Sequence, residues 1–187
     1  MLLPEPRDYS SAQGQEVGDS MSDKTIQQLQ HIMDFQLNDL RKASVLATAN
    51  FLVAIGCVNT IEFLGGVRTS QLGVEGQVKC RFKAGVGLLK KVNGEYRNLT
   101  EDQLYALRNG LTHQYLPEVK PFENITIKND WNSDKAITIQ GNELVLNVAR
   151  LVRDLGIAWG RLRAELEKDQ EMRKRVQKAL DKLPKLR

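Results

Sequence analysis

At 187 residues, 41% hydrophobic and 27% charged, the chain is long enough for one globular domain with a real core. Its formal net charge of +4 is unevenly spread: residues 1–40 carry seven acids against Arg7 and Lys24, whereas residues 150–187 carry twelve Lys/Arg against six Asp/Glu. The two cysteines, Cys57 and Cys80, have no metal-ligand spacing and exclude a disulfide framework, which points to a reducing, cytoplasmic setting.

Residues 1–21 are rich in Pro, Gly, Ser and acids, lack periodicity, and are expected to form a disordered tail before a single domain over 22–187. No signal pattern opens the chain. From Ser22, a candidate N-cap, Ile26, Leu29, Ile32, Met33, Leu37 and Leu40 keep helical spacing. A second helix, apolar almost all round, is expected to be central and to stop at Gly65-Gly66. Asn50, Asn59 and Glu62 interrupt its apolar run, so a core helix fits better than a membrane span. Residues 74–92 read as a helix weakened by Gly76, Gly85 and Gly87, followed by a turn at 92–96.

A clean helix start follows, with Thr100 as N-cap, Gln103 three residues on, and Glu101 and Asp102 at the positive dipole end. Pro117 is expected to end that helix. Over 122–146 the period changes to alternation, which predicts a small antiparallel hairpin or three-stranded meander with a turn at Gly141-Asn142. Asn147 then stands as the N-cap of a long helix whose seam breaks near Lys168, and a short last helix carries Val176, Leu180 and Leu183. Gly156 and Gly160, one turn apart, suit close helix approach. The fold class is mainly α, with a small β-hairpin insertion.

Chemistry concentrates in "YALRNGLTHQY", residues 105–115. On a regular α-helix Leu104, Leu107 and Leu111 form the core stripe, Arg108 aligns with Tyr115, and Asn109 aligns with His113. Arg108 and His113 then lie about 140° apart, too splayed for a one-sided pocket, so the spacing predicts a homodimer with a shared cleft. Arginine offers a forked donor to phosphate oxygens, and histidine can move a proton to or from a ribose hydroxyl. That pair can cleave RNA with the 2′-hydroxyl as internal nucleophile. No cofactor and no metal are implied, because no acidic or Cys/His set has ligand spacing.

At these residues the chain resembles the HEPN superfamily (higher eukaryotes and prokaryotes nucleotide-binding domains). Its signature is an arginine, usually followed by a polar residue, with a histidine four to six positions later; here Arg108, Asn109 and His113 take that form. "RNGLTHQY" is also similar to the arginine–histidine–tyrosine variant of HEPN toxins paired with nucleotidyltransferase antitoxins, with Tyr115 as the tyrosine. The resemblance implies an up-and-down helical bundle, often dimeric, with the motif helices meeting at a cleft. It also implies metal-independent endoribonuclease activity, in a prokaryotic toxin or phage-defence effector, with an antitoxin or inhibitor as a further partner.

Other residues frame the site. Glu62 is a carboxylate in an apolar helix; if buried it needs a partner, for which Arg108 or His113 is the natural choice. Lys79, Arg81, Lys83, Lys90 and Lys91 form a basic cluster interleaved with Phe82 that suits RNA, and suits an amphipathic helix equally. His31 reads as a surface histidine, and Trp131 as a ring tucked against its own turn. The expectation is therefore an endoribonuclease with Arg108, His113 and Asn109 as catalytic residues, supported by Tyr115 and Glu62. The alternative is a non-catalytic RNA- or nucleotide-binding or dimerisation module.

Overall fold

A computed structural model describes the backbone of residues 16–46, 50–114 and 118–183, with side chains over 24–45, 50–113 and 118–183. It is mainly helical: α1 (Glu16–Leu46), α2 (Asn50–Thr69), α3 (Val78–Val92), α4 (Glu101–Asn109), α5 (Val148–Lys168) and α6 (Gln170–Leu180), with β1 (Asn124–Lys128), β2 (Ile137–Gln140) and β3 (Glu143–Asn147) between α4 and α5. The helices form a bundle, and the small sheet is an insertion in it. α1 begins at Glu16, so Ser22 lies inside it and does not cap it. The disordered tail expected over residues 1–21 needs correction at 16–21, which belong to α1, while residues 1–15 lie outside the described residues.

α2 is the centre of the bundle, against α1, α3 and α5, with Val53, Ala54, Cys57, Ile61 and Leu64 almost inaccessible. By length and composition alone it is the one helix among the described residues apolar enough to cross a bilayer. The expected stop at Gly65-Gly66 does not occur, since the helix continues to Thr69. These glycines serve close approach instead. A Cβ on Gly65 would fall 1.7 Å from the Arg81 carbonyl oxygen, and one on Gly85 would fall 1.9 Å from the Ile61 carbonyl oxygen. α2 and α3 thus cross backbone to backbone. Gly156 and Gly160, expected in that role, do not play it: a Cβ on Gly160 would meet nothing within 4 Å, and one on Gly156 only side chains, Arg41 at 3.5 Å and Leu37 at 4.0 Å.

Thr100 caps α4 as its sequence predicts. Its hydroxyl accepts from Gln103 N at 3.1 Å, and Gln103 Oε1 accepts from Thr100 N at 2.9 Å. α5 buries Leu151, Val152, Leu155, Trp159, Leu162 and Leu166, each apolar side chain contributing about 2 kcal/mol of transfer free energy. The seam ends at Lys168, where Asp169 accepts from Met172 N at 2.8 Å and starts α6. Arg173 then donates to the last carbonyls of α5, Leu166 at 2.7 Å and Glu167 at 2.6 Å.

The sheet order is β1-β3-β2. β2 and β3 form the expected antiparallel hairpin around Gly141-Asn142, with Gly141 at φ +57°. The expectation of a purely antiparallel insertion needs correction, because β1 runs parallel to β3, with Ile125 opposite Leu144 and Ile127 opposite Leu146. Asn147 makes no side-chain cap on α5. Buried at 1% exposure, it instead binds the Asp130–Lys135 loop, donating to the carbonyls of Asp130 at 2.9 Å and Lys135 at 3.1 Å and accepting from Asp130 N at 3.0 Å. Crossing from β1 to β2 needs that loop, and the buried asparagine satisfies its backbone.

Candidate functional site

The motif helix does not stay regular. After Asn109 the chain makes a π-helical turn over Gly110–Gln114, anchored in the core by Leu107 and Leu111. A π turn closes i to i+5, so residues five apart come onto one line. Thr112 Oγ1 supports it by donating to the Arg108 carbonyl at 2.9 Å. In consequence Arg108 Nη1 donates to His113 Nε2 at 3.1 Å. The splay expected from a regular helix is absent, and the two residues meet within one chain. An arginine has no acceptor, so this bond requires the lone pair on Nε2 and puts the His113 ring proton on Nδ1.

Arg108 is held from three sides. Its Nη1 also donates to Asn109 Oδ1 at 3.1 Å, and its Nη2 donates to Glu62 Oε2 at 2.8 Å. Glu62 therefore finds one of the two partners expected for it, and it also finds one the sequence reading placed elsewhere. Arg81 donates from Nη2 at 2.7 Å and from Nε at 3.2 Å to Glu62 Oε1. The side chains are largely shielded, at 12% exposure for Arg108, 16% for Glu62 and 10% for Arg81. Two guanidinium groups face one carboxylate, which leaves a net positive charge in a low-dielectric setting. His113 lies on the exposed side. The arrangement places a shielded cation directly beside an exposed histidine.

α2, α3 and α4 build this site together. Gly65 lets the Arg81 backbone press on α2 one turn beyond Glu62, and the Thr100 cap sets the start of the helix that carries Arg108. Arg81 is buried and belongs beneath the site, not to a surface stripe. The lysines of the same cluster face the start of α4. Lys79 lies 3.0 Å and Lys83 3.3 Å from Asp102, and Lys90 lies 3.5 Å from Glu101. Lys79 and Lys83 hold the Asp102 carboxyl below its ordinary range through hydrogen bonds and charge. Lys91 is exposed. Tyr115 lies outside the described residues.

A second polar cluster is hidden in the core. Asp154, with 0% exposure, accepts from Tyr96 Oη at 3.0 Å, Asn93 Nδ2 at 3.2 Å and Arg150 Nε at 3.0 Å. Burial, then the Asp154 charge and hydrogen bond, push the Tyr96 hydroxyl well above its ordinary value. The sequence signal was available: Asp154 falls on the apolar face of α5, three residues after Leu151 and four before Ala158. This cluster is enclosed and joins α5 to the α3–α4 connection. His31 is exposed, and the Arg153 guanidinium stacks on the Trp131 ring at 5.0 Å. Among the described residues no three His, Cys, Asp or Glu side chains gather as metal ligands. Compared with protein-family models, curated proteins and solved structures, the chain has no match in any of the three.

Proposed function

We propose that this chain is a metal-independent endoribonuclease of HEPN type, acting in the cytoplasm as a prokaryotic toxin or phage-defence effector. The observation that supports this best is the Arg108–His113 contact, a shielded forked cation touching the ring of an exposed histidine. On this reading a phosphate of RNA takes the place of His113 at Arg108 Nη1. That exchange frees the Nε2 lone pair beside the ribose. The 2′-oxygen attacks phosphorus as His113 takes its proton, the bond from phosphorus to the 5′-oxygen breaks, and a 2′,3′-cyclic phosphate forms. Arg108 stabilises the charge that builds on the phosphorane oxygens, and Asn109 holds Arg108 in place.

The departing 5′-oxygen needs a proton, and one chain presents one His113. A homodimer that brings in a second His113 would supply it, so a dimer with a shared cleft is part of the proposal. An antitoxin or other inhibitor protein that covers the exposed His113 would silence the site. The test is the chemistry of the product ends. Cleavage leaving 2′,3′-cyclic phosphate and 5′-hydroxyl ends, blocked by a single 2′-deoxy sugar at the scissile position, is expected; cleavage of the deoxy substrate at an equal rate would rule the mechanism out.

A second reading is a non-catalytic RNA-binding module. It is favoured by the fact that His113 Nε2 is already occupied by Arg108. Exposed Arg175, Lys178 and Lys182 on one side of α6 and its C-terminal turn would then grip the phosphate backbone. It requires RNA binding that weakens with salt, survives His113→Ala, and proceeds without cleavage.

A further inference from the structure

We propose that Arg81 is a positioning residue, which divides the Glu62 carboxylate and thereby aims Arg108 at His113. The inference rests on reading Arg108 and His113 as the working pair. Arginine and carboxylate prefer a two-pronged pairing in which both oxygens face one guanidinium. Here Glu62 gives both prongs to neither arginine. Oε1 is taken twice by Arg81, at 2.7 Å and 3.2 Å, and only Oε2 is left for Arg108 Nη2 at 2.8 Å. That leaves Arg108 Nη1 free to reach Asn109 and His113, each at 3.1 Å.

Arg81 cannot easily drift from this post. Its Nη1 donates to the Val74 carbonyl at 2.5 Å and to the Gln71 carbonyl at 3.4 Å, in the connection between α2 and α3. Its own carbonyl lies where a Cβ on Gly65 would be. Shielded as it is, it acts on a ligand only through Glu62 and Arg108. Arg108 Nε is buried and has no hydrogen-bond partner among the described residues. Were Oε1 released, that donor would capture it, the guanidinium would turn inward to hold both oxygens, and Nη1 would leave His113. The His113 ring would then lose the bond that keeps its proton on Nδ1.

Ring-nitrogen NMR of ¹⁵N-labelled protein reads that tautomer directly, with the exposed His31 as internal reference. In the unsubstituted protein, at a pH where the ring is neutral, His113 is expected in the Nδ1–H form. Arg81→Met, or the milder Arg81→Gln where the first variant fails to fold, should move it to the Nε2–H form usual for free imidazole. Arg81→Lys keeps a cation on Oε1 and should retain Nδ1–H. Arg108→Ala is the control and must release the tautomer. If it does while both neutral Arg81 variants leave His113 unchanged, the positioning role is overturned and the Arg108–His113 pair stands. If Arg108→Ala changes nothing, the contact itself is refuted, and both readings fall. In RNA cleavage, neutral Arg81 variants should lower kcat/KM by about tenfold, because the Arg108 Nη1 that meets the phosphate is turned away.

Discussion

Arg108 and His113 are five residues apart and touch, Nη1 to Nε2, at 3.1 Å. A regular helix would hold them about 140° apart. The π turn between them removes the misfit, so the pair is assembled by one chain, and a second copy is called for only by the need for a second proton-transfer group. This local irregularity sits at the one place where the chain also gathers Glu62, Arg81 and Asn109.

The glycines of the α2–α3 crossing should be intolerant of any side chain. Gly65→Ala and Gly85→Ala place a methyl group within 2 Å of a backbone carbonyl oxygen. Each is expected to lose on the order of 3 kcal/mol in urea unfolding. Gly160→Ala, with nothing within 4 Å, should instead gain about 0.5–1 kcal/mol from helix propensity. Equal effects at Gly65 and Gly160 would contradict the crossing.

Tyr96 should make the fold sensitive to alkali. Its hydroxyl titrates higher in the folded chain than in the unfolded one, whose tyrosines ionise near their ordinary value of 10.0. The folded state then holds a proton that the unfolded state releases, so this contribution is intact below pH about 10 and is lost as pH rises further. Melting temperature should fall more steeply above that pH in the parent protein than in Tyr96→Phe. At neutral pH the same substitution removes one of the two hydrogen bonds to Asp154 Oδ2, leaving the one from Asn93, and should cost about 1–3 kcal/mol.

The α3 lysines are engaged by Glu101 and Asp102. Asp102→Asn should release Lys79, leave Lys83 only its contact to Glu101 at 3.6 Å, and tighten salt-sensitive RNA binding by about threefold at low ionic strength. The depressed Asp102 carboxyl gives a further sign. Its stabilising contribution is present above the ordinary carboxyl range and is lost as pH falls through its lowered folded value. The acid limb of a stability–pH curve should therefore flatten in the variant.

Much of the bundle was legible in local patterns. Ile26 to Leu40, the Thr100 cap and the break at Lys168 are short-range features in which helical spacing and cap chemistry agree with the tertiary result. What failed depends on distant chain. Gly65-Gly66 has the composition of a stop and acts as a contact, because α3 lies where a stop would leave solvent. β1 pairs parallel with β3 on the side away from β2, a long-range choice that its alternating pattern does not encode. Arg81 has the look of a surface cation within "KCRFK", and only the α2–α3 crossing puts it under Glu62. At the site, Arg108, His113, Asn109 and Glu62 were all legible as residues, but their convergence was hidden by a one-residue change of helical phase.

RNA cleavage in EDTA by the parent protein, Arg108→Ala and His113→Ala, with the fold of each checked by thermal melting, tests the central claim most directly. The parent should cleave, and each variant should lose about 10²–10⁴-fold in rate, as expected for removal of a phosphate clamp or a general base. Cleavage at equal rates by all three proteins would contradict it.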